Sequence, residues 1–301
     1  MKKILSLLLI SPVLFLMSCG DDDTDGGPST SEITLSISGL EDLGATAQYE
    51  GWVITSEGPV STGTFTVNAN GELSATTFTV NQADLDDATK FVLTVEPIPD
   101  TDPAPSAQKL IAGDFSGNMA SLSTSTTPAL GDFSNAAGTY FLRTPTDEPN
   151  PGNPNNGNDF NGVWFGAPGM PPTANFTLPA LGDGWVYEGW LVTANGPIST
   201  GTFTDFGDRD SGNPFSGTEY NMGPPIPGED FFNANGSSET FPIDVRGKTV
   251  VISVEPVPDN SPAPFLLKPL VSMIAADAAT APAVHNFGQN LSSLPTGTVS
   301  K

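Results

Sequence analysis

Short runs of alternating apolar and polar residues recur along most of the chain, which is the pattern of half-buried β-strands. Residues 33–38 alternate in this way, and residues 91–95 form a continuous apolar run typical of a fully buried strand. Residues 68–71 carry a hairpin-turn signal between strand-like segments 63–67 and 73–80, and residues 82–88 favour one helical turn. The pattern predicts a β-rich protein with closely spaced turns.

A long sequence repeat divides the chain. Residues 49–66 and 187–204 are identical at 13 of 18 positions, and both begin with Tyr-Glu-Gly-Trp. A second block, Val-Glu-Pro-x-Pro-Asp followed by Pro-Ala-Pro, starts at Val95 and again at Val254. The interval between copies grows from 138 to 159 residues, so the second copy holds about 21 extra residues within 205–248, where we expect copy-specific function. The repeat predicts an all-β fold with two tandem antiparallel β-sandwich domains.

The first 18 residues have the pattern of a lipoprotein signal peptide. Two lysines precede a mostly apolar stretch of 14 residues, shorter than the ~20 residues that a membrane-spanning helix needs. The stretch ends in Leu16-Met17-Ser18-Cys19, which resembles the lipobox of bacterial lipoproteins. The resemblance implies that Cys19 carries fatty acyl chains such as palmitate and anchors the mature protein to a membrane. The acidic residues 20–27 are similar to the export signal of Bacteroidota surface lipoproteins, which implies the outer membrane or cell surface.

These observations predict five segments. They are the signal peptide (1–18), an acidic tether (19–31), a first domain (32–145), a Pro/Gly/Asn-rich linker (146–160) and a second domain (161–301). Residues 146–158 contain no hydrophobic side chain, so they form either a linker or a long loop. The strand-like segments 140–142 and 163–165 on its two sides can pair across it, which would blur the boundary.

Charge and composition exclude several functions. The chain has 34 acidic and 10 basic residues and a net charge of -24, which repels nucleic-acid backbones. The same charge attracts Ca²⁺ or basic partners. One cysteine excludes an intrachain disulfide, and with His285 as the only histidine the usual kind of zinc site cannot be assembled. We therefore predict no cofactor, no resident metal and no nucleic-acid partner.

Three pairs of repeated residues are candidates for structural roles or ligand contact. Carboxylate pairs can act as acid and base or bind a cation, and strand aromatics can stack on sugars. Because both copies keep these residues, we favour core packing for the tryptophans and acceptance of loop N–H bonds for the carboxylates. No residue is predicted to be catalytic. The candidates are Glu50, Trp52, Glu96, Glu188, Trp190 and Glu255.

The order of the repeated motifs resembles the extracytoplasmic domain of anti-sigma-K factors, over roughly 31–145 and 160–300. In that family the domain is a sensory or interaction module, and a transmembrane helix joins it to a cytoplasmic part that binds the sigma factor. This sequence shows no sigma-binding segment, no second membrane span and no zinc-binding cluster. The resemblance therefore implies the fold and the extracytoplasmic setting, without sigma-factor inhibition.

Two functions follow as hypotheses. The first is a non-catalytic cell-envelope lipoprotein, a binding or sensory module for an unidentified protein or glycan ligand. The alternative is a surface lipoprotein that binds or processes glycans. The alternative depends on solvent-exposed tryptophans beside a cleft, and it loses its main support if all four tryptophans are buried. The sequence does not indicate an oligomeric state.

Overall fold

A computed structural model describes residues 29–148, 157–217, 223–259 and 261–301, so Cys19 and most of the acidic tether lie outside the described residues. Antiparallel strands dominate these ranges and confirm the all-β fold. None of the helices in the described ranges has the length and apolar character needed to cross a membrane. In the first part of the chain the elements are β1 (Thr30–Ser38), β2 (Ala47–Thr55), β3 (Gly58–Phe65), β4 (Thr77–Asn81), α1 (Gln82–Asp87), β5 (Lys90–Pro97), β6 (Lys109–Ser116) and β7 (Met119–Leu122).

The remaining strands are mostly shorter. Short 3-10 helices cover Thr124–Thr126, Pro145–Asp147, Asp159–Asn161 and Leu291–Ser293. The strands are β8 (Ala137–Phe141), β9 (Gly162–Phe165), β10 (Phe176–Thr177), β11 (Trp185–Thr193), β12 (Gly196–Phe203), β13 (Gly228–Asp230), β14 (Thr249–Pro256), β15 (Leu270–Met273), β16 (His285–Asn286), β17 (Gly288–Gln289) and β18 (Thr296–Ser300).

The strongest local predictions are confirmed. Alternate residues of β1 are buried, β5 contains the continuous apolar run, and α1 is the predicted helical turn. The turn at 68–71 is closed by Gly71 N, which donates to Asn68 O at 2.8 Å. The predicted hairpin is confirmed but short. An antiparallel bridge joins Val67 to Leu73, and the arms are also joined by the bonds from Asn68 N to Glu72 O at 3.0 Å and from Ser74 N to Thr66 O at 2.8 Å. After the turn the chain continues into β4, which pairs with β1 at the edge of the same sheet opposite to β3.

The first sheet has the strand order β3-β2-β5-β6-β7-β18-β1-β4. The second repeat builds β12-β11-β14-β15 in the same way that the first builds β3-β2-β5-β6. The register is also repeated, since Tyr49 faces Phe65 and Tyr187 faces Phe203. Buried side chains of both repeats belong to one continuous hydrophobic core, which includes Leu93 and Ile252.

A close approach of two strands explains the glycines of the Tyr-Glu-Gly-Trp motif. Gly189 faces Gly201, and the register shifts by a β-bulge immediately after Gly189. A Cβ at Gly189 would lie 2.2 Å from Cε2 of Phe165 and 2.4 Å from Oγ1 of Thr200. Gly51 has the same bulge in the first repeat. No larger side chain fits at this position without displacing the neighbouring strand or the core aromatic.

The last strand of each repeat pairs with the other repeat. β8 and β18 lie 159 residues apart, the interval that also separates Val95 from Val254, so they are equivalent segments. β18 inserts between β1 and β7, whereas β8 pairs with β9, β10 and β16. The pairing predicted across the Pro/Gly/Asn-rich segment is confirmed, with Tyr140 facing Phe165. Strand pairing thus crosses the predicted boundary between 32–145 and 161–301 in both directions.

The described ends of the predicted linker are packed against the protein. Thr146, Glu148 and Asp159 are buried, and Arg143 Nη2 lies 2.5 Å from Glu148 Oε2. Residues 149–156 lie outside the described ranges. The described part of the insertion at 205–248 also enters the fold, because β13 pairs with β9 and Phe231 is fully buried. β13 pairs with β9 in the second repeat as β4 pairs with β1 in the first. This part of the insertion is therefore structural.

Candidate functional site

In the first repeat the candidate residues form a chain of hydrogen bonds on one face of β2 and β5. Trp52 Nε1 donates to Thr94 Oγ1 at 2.9 Å, and Thr94 Oγ1 donates to Glu96 Oε1. The backbone N–H of Ser106 donates to the same carboxylate oxygen at 2.9 Å. The regular pairing of β2 with β5 places Trp52 and Glu96 on one face of the sheet. Glu96 therefore holds the end of the Pro-rich loop that follows β5.

The second repeat has the same arrangement. Trp190 Nε1 donates to Ser253 Oγ at 2.8 Å, and Ser253 Oγ donates to Glu255 Oε1. Phe265 N lies 2.9 Å from Glu255 Oε1 and 3.1 Å from Oε2, so this carboxylate also holds its Pro-rich loop. Serine replaces the threonine of the first repeat and keeps the hydroxyl that the tryptophan needs.

The glutamate of each Tyr-Glu-Gly-Trp motif accepts a hydrogen bond from the neighbouring strand. Ser61 Oγ donates to Glu50 Oε1, and Ser199 Oγ donates to Glu188 Oε1. Burial raises the pKa of Glu50, and it raises the pKa of Glu188 to about 7. The two differ at the second carboxylate oxygen, because Glu188 Oε2 is buried and no residue in the described ranges forms a hydrogen bond with it.

Three carboxylates converge in the second repeat. Glu188, Glu255 and Asp259 each offer one oxygen, and these oxygens lie within 4.8 Å of one another. Burial, together with the negative charges of Glu188 and Asp259, raises the pKa of Glu255 to about 8. Sequence reasoning missed Asp259, although the aspartate is present in both copies of the second block and gave a usable signal.

An acidic cavity lies where the two repeats meet. It has a volume of about 300 Å³, and the Pro-rich loops of both repeats contribute to its wall. Gln108 Nε2 donates to Val257 O across this junction. Its lining in the described part of the chain includes no lysine or arginine. The acidic residues that line it are Glu41, Asp42, Glu96, Glu255 and Asp259.

The four tryptophans are all buried, with exposed fractions of 2–3% for Trp52, Trp164, Trp185 and Trp190. A sugar-binding platform needs aromatic faces that are open to solvent. The indole rings of this protein are instead packing elements, and at least three of them donate a hydrogen bond to a buried oxygen. The glycan hypothesis therefore loses its main support.

A second group of buried carboxylates lies in the insertion of the second repeat. Asp230 accepts hydrogen bonds from Thr146 N at 2.8 Å, Thr146 Oγ1 at 2.6 Å and Trp164 Nε1 at 2.8 Å. Glu229 accepts one from Ser216 Oγ, and burial raises its pKa to about 8. Sequence analysis placed both residues in the insertion at 205–248, where copy-specific function was expected, but not among the candidate site residues.

We expect the free energy of unfolding to fall as the pH rises from about 5 to about 8. The pKa of Glu229 is about 8 in the folded protein, whereas a glutamate in the unfolded chain has a pKa of about 4.3. Between these pH values the folded state binds more protons than the unfolded state. The stabilisation that the protonated Glu229 gives at low pH is therefore lost as the pH rises, and for one proton the free energy of unfolding falls by at most about 1.4 kcal/mol per pH unit. Urea denaturation across this range measures the slope. Glu229→Gln should make it shallower, and an unchanged slope in that variant would contradict the assignment.

No curated protein matches the chain, and no solved structure matches it. Residues 27–109 match the family model described as "Anti-sigma-K factor rskA, C-terminal". The matched range contains Glu50, Trp52 and Glu96 and confirms the predicted resemblance there, whereas the resemblance predicted for the second repeat stays a prediction. The chain thus carries an anti-sigma-factor-like domain, similar to the C-terminal, extracytoplasmic domain of the anti-sigma-K factors.

Proposed function

We propose that this chain is a non-catalytic lipoprotein of the cell envelope, in which two anti-sigma-K-like repeats form an extracytoplasmic binding or sensory module. The family match over residues 27–109 supports the domain type, and the shared register of the two repeats supports its extension to the second copy. The lipobox that ends at Cys19 supports attachment to a membrane, and the acidic residues after it support export to the outer membrane and the cell surface.

The acidic cavity between the repeats is the observation that carries the proposal. Asp42 is exposed at its rim and Asp259 is half-buried, and the chain as a whole has a net charge of -24. Such a concave acidic surface raises the local concentration of cationic groups and guides their approach. The partner that fits it is a protein segment rich in lysine and arginine.

The hydrogen bonds of the cavity carboxylates favour binding over catalysis. Glu96 and Glu255 each accept a backbone N–H and a hydroxyl, so both are used to hold the loops that shape the cavity. A binding module needs this rigidity in its walls. A hydrolase activity that disappears in Glu96→Ala or Glu255→Ala would overturn the non-catalytic assignment.

Capture of partners by the intact lipoprotein from its native membrane tests the binding role. Asp42→Lys reverses a charge at the cavity rim, so we expect it to abolish capture of the basic partner, and binding should weaken as the salt concentration rises. Glu57→Lys is the matched control, because Glu57 is exposed at the opposite end of β2 and makes the same charge change. Equal loss in both variants would show a general charge effect and contradict recognition at the cavity.

The anchor has a separate test. Cys19→Ser removes the thiol that would be acylated, so the protein should move from the membrane fraction to the soluble extracytoplasmic fraction. Mass spectrometry of the wild-type N-terminus should show a lipid-modified Cys19. Membrane retention of the Cys19→Ser protein would contradict the lipoprotein assignment.

A further inference from the structure

The carboxylate triad of the second repeat has the dimensions of a cation site. Glu188 and Glu255 are diagonal neighbours on β11 and β14, since Glu255 faces Val186 in the register. Asp259 follows in the Pro-rich loop, and the three carboxylate oxygens lie within 4.8 Å of one another. Two oxygens that bind one Ca²⁺ at about 2.4 Å are separated by at most about 4.8 Å. The triad therefore needs little or no rearrangement to surround such an ion.

An unsatisfied buried oxygen points to a ligand at this place. Glu188 is 5% exposed, and its Oε1 accepts the hydrogen bond from Ser199, whereas its Oε2 has no hydrogen-bond partner among the described residues. A buried carboxylate oxygen without a donor loses its hydration without compensation. Two further carboxylates close by make this worse by repulsion. A cation relieves both costs.

The donor set selects the class of ion. All three ligands are carboxylate oxygens, which are hard ligands that suit Ca²⁺ or Mg²⁺ rather than zinc or copper. Glu255 and Asp259 also line the cavity between the repeats, so an ion can enter from solvent and keep several waters. Ca²⁺ accepts irregular coordination with waters more readily than Mg²⁺, which demands near-ideal octahedral geometry.

We propose that Glu188, Glu255 and Asp259 bind one Ca²⁺ per chain and so hold the Pro-rich loop of the second repeat at the wall of the cavity. The first repeat has the corresponding residues Glu50, Glu96 and Asp100. Among the described residues, the triad of the second repeat is the one group of three carboxylates whose oxygens lie within 4.8 Å of one another. In the same described residues, Glu50 of the first repeat has no oxygen that is buried without a hydrogen-bond partner. The site therefore belongs to the second repeat alone.

Calorimetric titration of the mature chain with CaCl₂, after treatment with a chelator, tests the proposal. We expect one site per chain with a dissociation constant of roughly 10⁻⁴ to 10⁻³ M, as in extracellular calcium modules, and a rise in melting temperature with Ca²⁺. Mg²⁺ should bind more weakly. The absence of both heat and a thermal shift up to about ten times that concentration would overturn the proposal.

Matched variants separate this site from general attraction of cations to an acidic surface. Glu188→Gln keeps the side-chain shape and the bond from Ser199, and Asp259→Asn changes a half-buried loop residue, so both should fold and bind Ca²⁺ at least roughly tenfold more weakly. Glu50→Gln is the same change in the first repeat and should leave the affinity unchanged. Wild-type affinity in Glu188→Gln, or equal losses in Glu188→Gln and Glu50→Gln, would overturn the assignment.

Discussion

Val299→Asp is expected to unfold the first sheet, although Val299 lies at the far end of the chain from the strands it supports. Its side chain is fully buried, and its backbone lies between Leu35 of β1 and Ala120 of β7. An aspartate at this point buries a charge without a partner, which costs several kcal/mol, and it weakens pairing on both edges of β18. The stability of the first repeat thus depends on the last residues of the second.

Hydrogen exchange measures this effect strand by strand. The amides of β1 and β7 should lose protection in Val299→Asp, and urea denaturation should show a midpoint shifted to lower concentration. Thr296→Asp is the matched control, because Thr296 is exposed on the same strand and its replacement should change stability by no more than about 0.5 kcal/mol. If both variants kept native protection in β1 and β7, the pairing of β18 with the first repeat would be refuted.

Asp230→Ala is expected to destabilise the second repeat by about 3–5 kcal/mol. The carboxylate of Asp230 accepts three hydrogen bonds from Thr146 and Trp164, and all three donors are buried. Alanine leaves these donors without acceptors and also leaves a small cavity. These hydrogen bonds join β13 of the insertion to β9 and to the segment after β8. The loss of stability should therefore extend over the sheet that contains β8, β9 and β13.

Chemical denaturation of three proteins separates the acceptor role from loss of charge. Asp230→Asn keeps the size and one carbonyl oxygen, so it should lose less stability than Asp230→Ala. Asp208→Ala removes an exposed carboxylate of the same insertion and should be near neutral. An Asp230→Ala protein as stable as Asp208→Ala would show that the buried hydrogen bonds add nothing to folding.

The two predictions concern the same structural property, which is that neither repeat is complete by itself. β18 lies between β7 and β1 in the sheet of the first repeat, and β8 lies between β10 and β9 in a sheet of the second. The cavity between the repeats is consequently formed by parts that are tied together through strand pairing as well as through one hydrophobic core. The proposed recognition surface is therefore held in a defined shape.

The local sequence pattern and the internal repeat were sufficient to predict a large part of this fold. Alternation of apolar residues determined β1, the apolar run determined β5, and the repeat determined which residues would recur in equivalent places. The pairing of residues 140–142 with 163–165 was also predictable, because both segments are apolar and a single connection joins them. These features depend on neighbours along the chain, which a sequence displays directly.

Tertiary structure alone decided which strands pair with one another and which groups lie next to the carboxylates. Backbone hydrogen bonds are the same for every residue, so the sequence of β18 carries no code that assigns it to β1 and β7 in preference to its own repeat. Alternation likewise predicts two faces for β11 without saying that both are covered. The core packing predicted for Trp190 therefore depended on the size of its side chain and its recurrence in both copies, and not on alternation. The convergence of Glu188, Glu255 and Asp259 required both the register of β11 with β14 and the path of the loop that follows, which are set by packing across the whole domain.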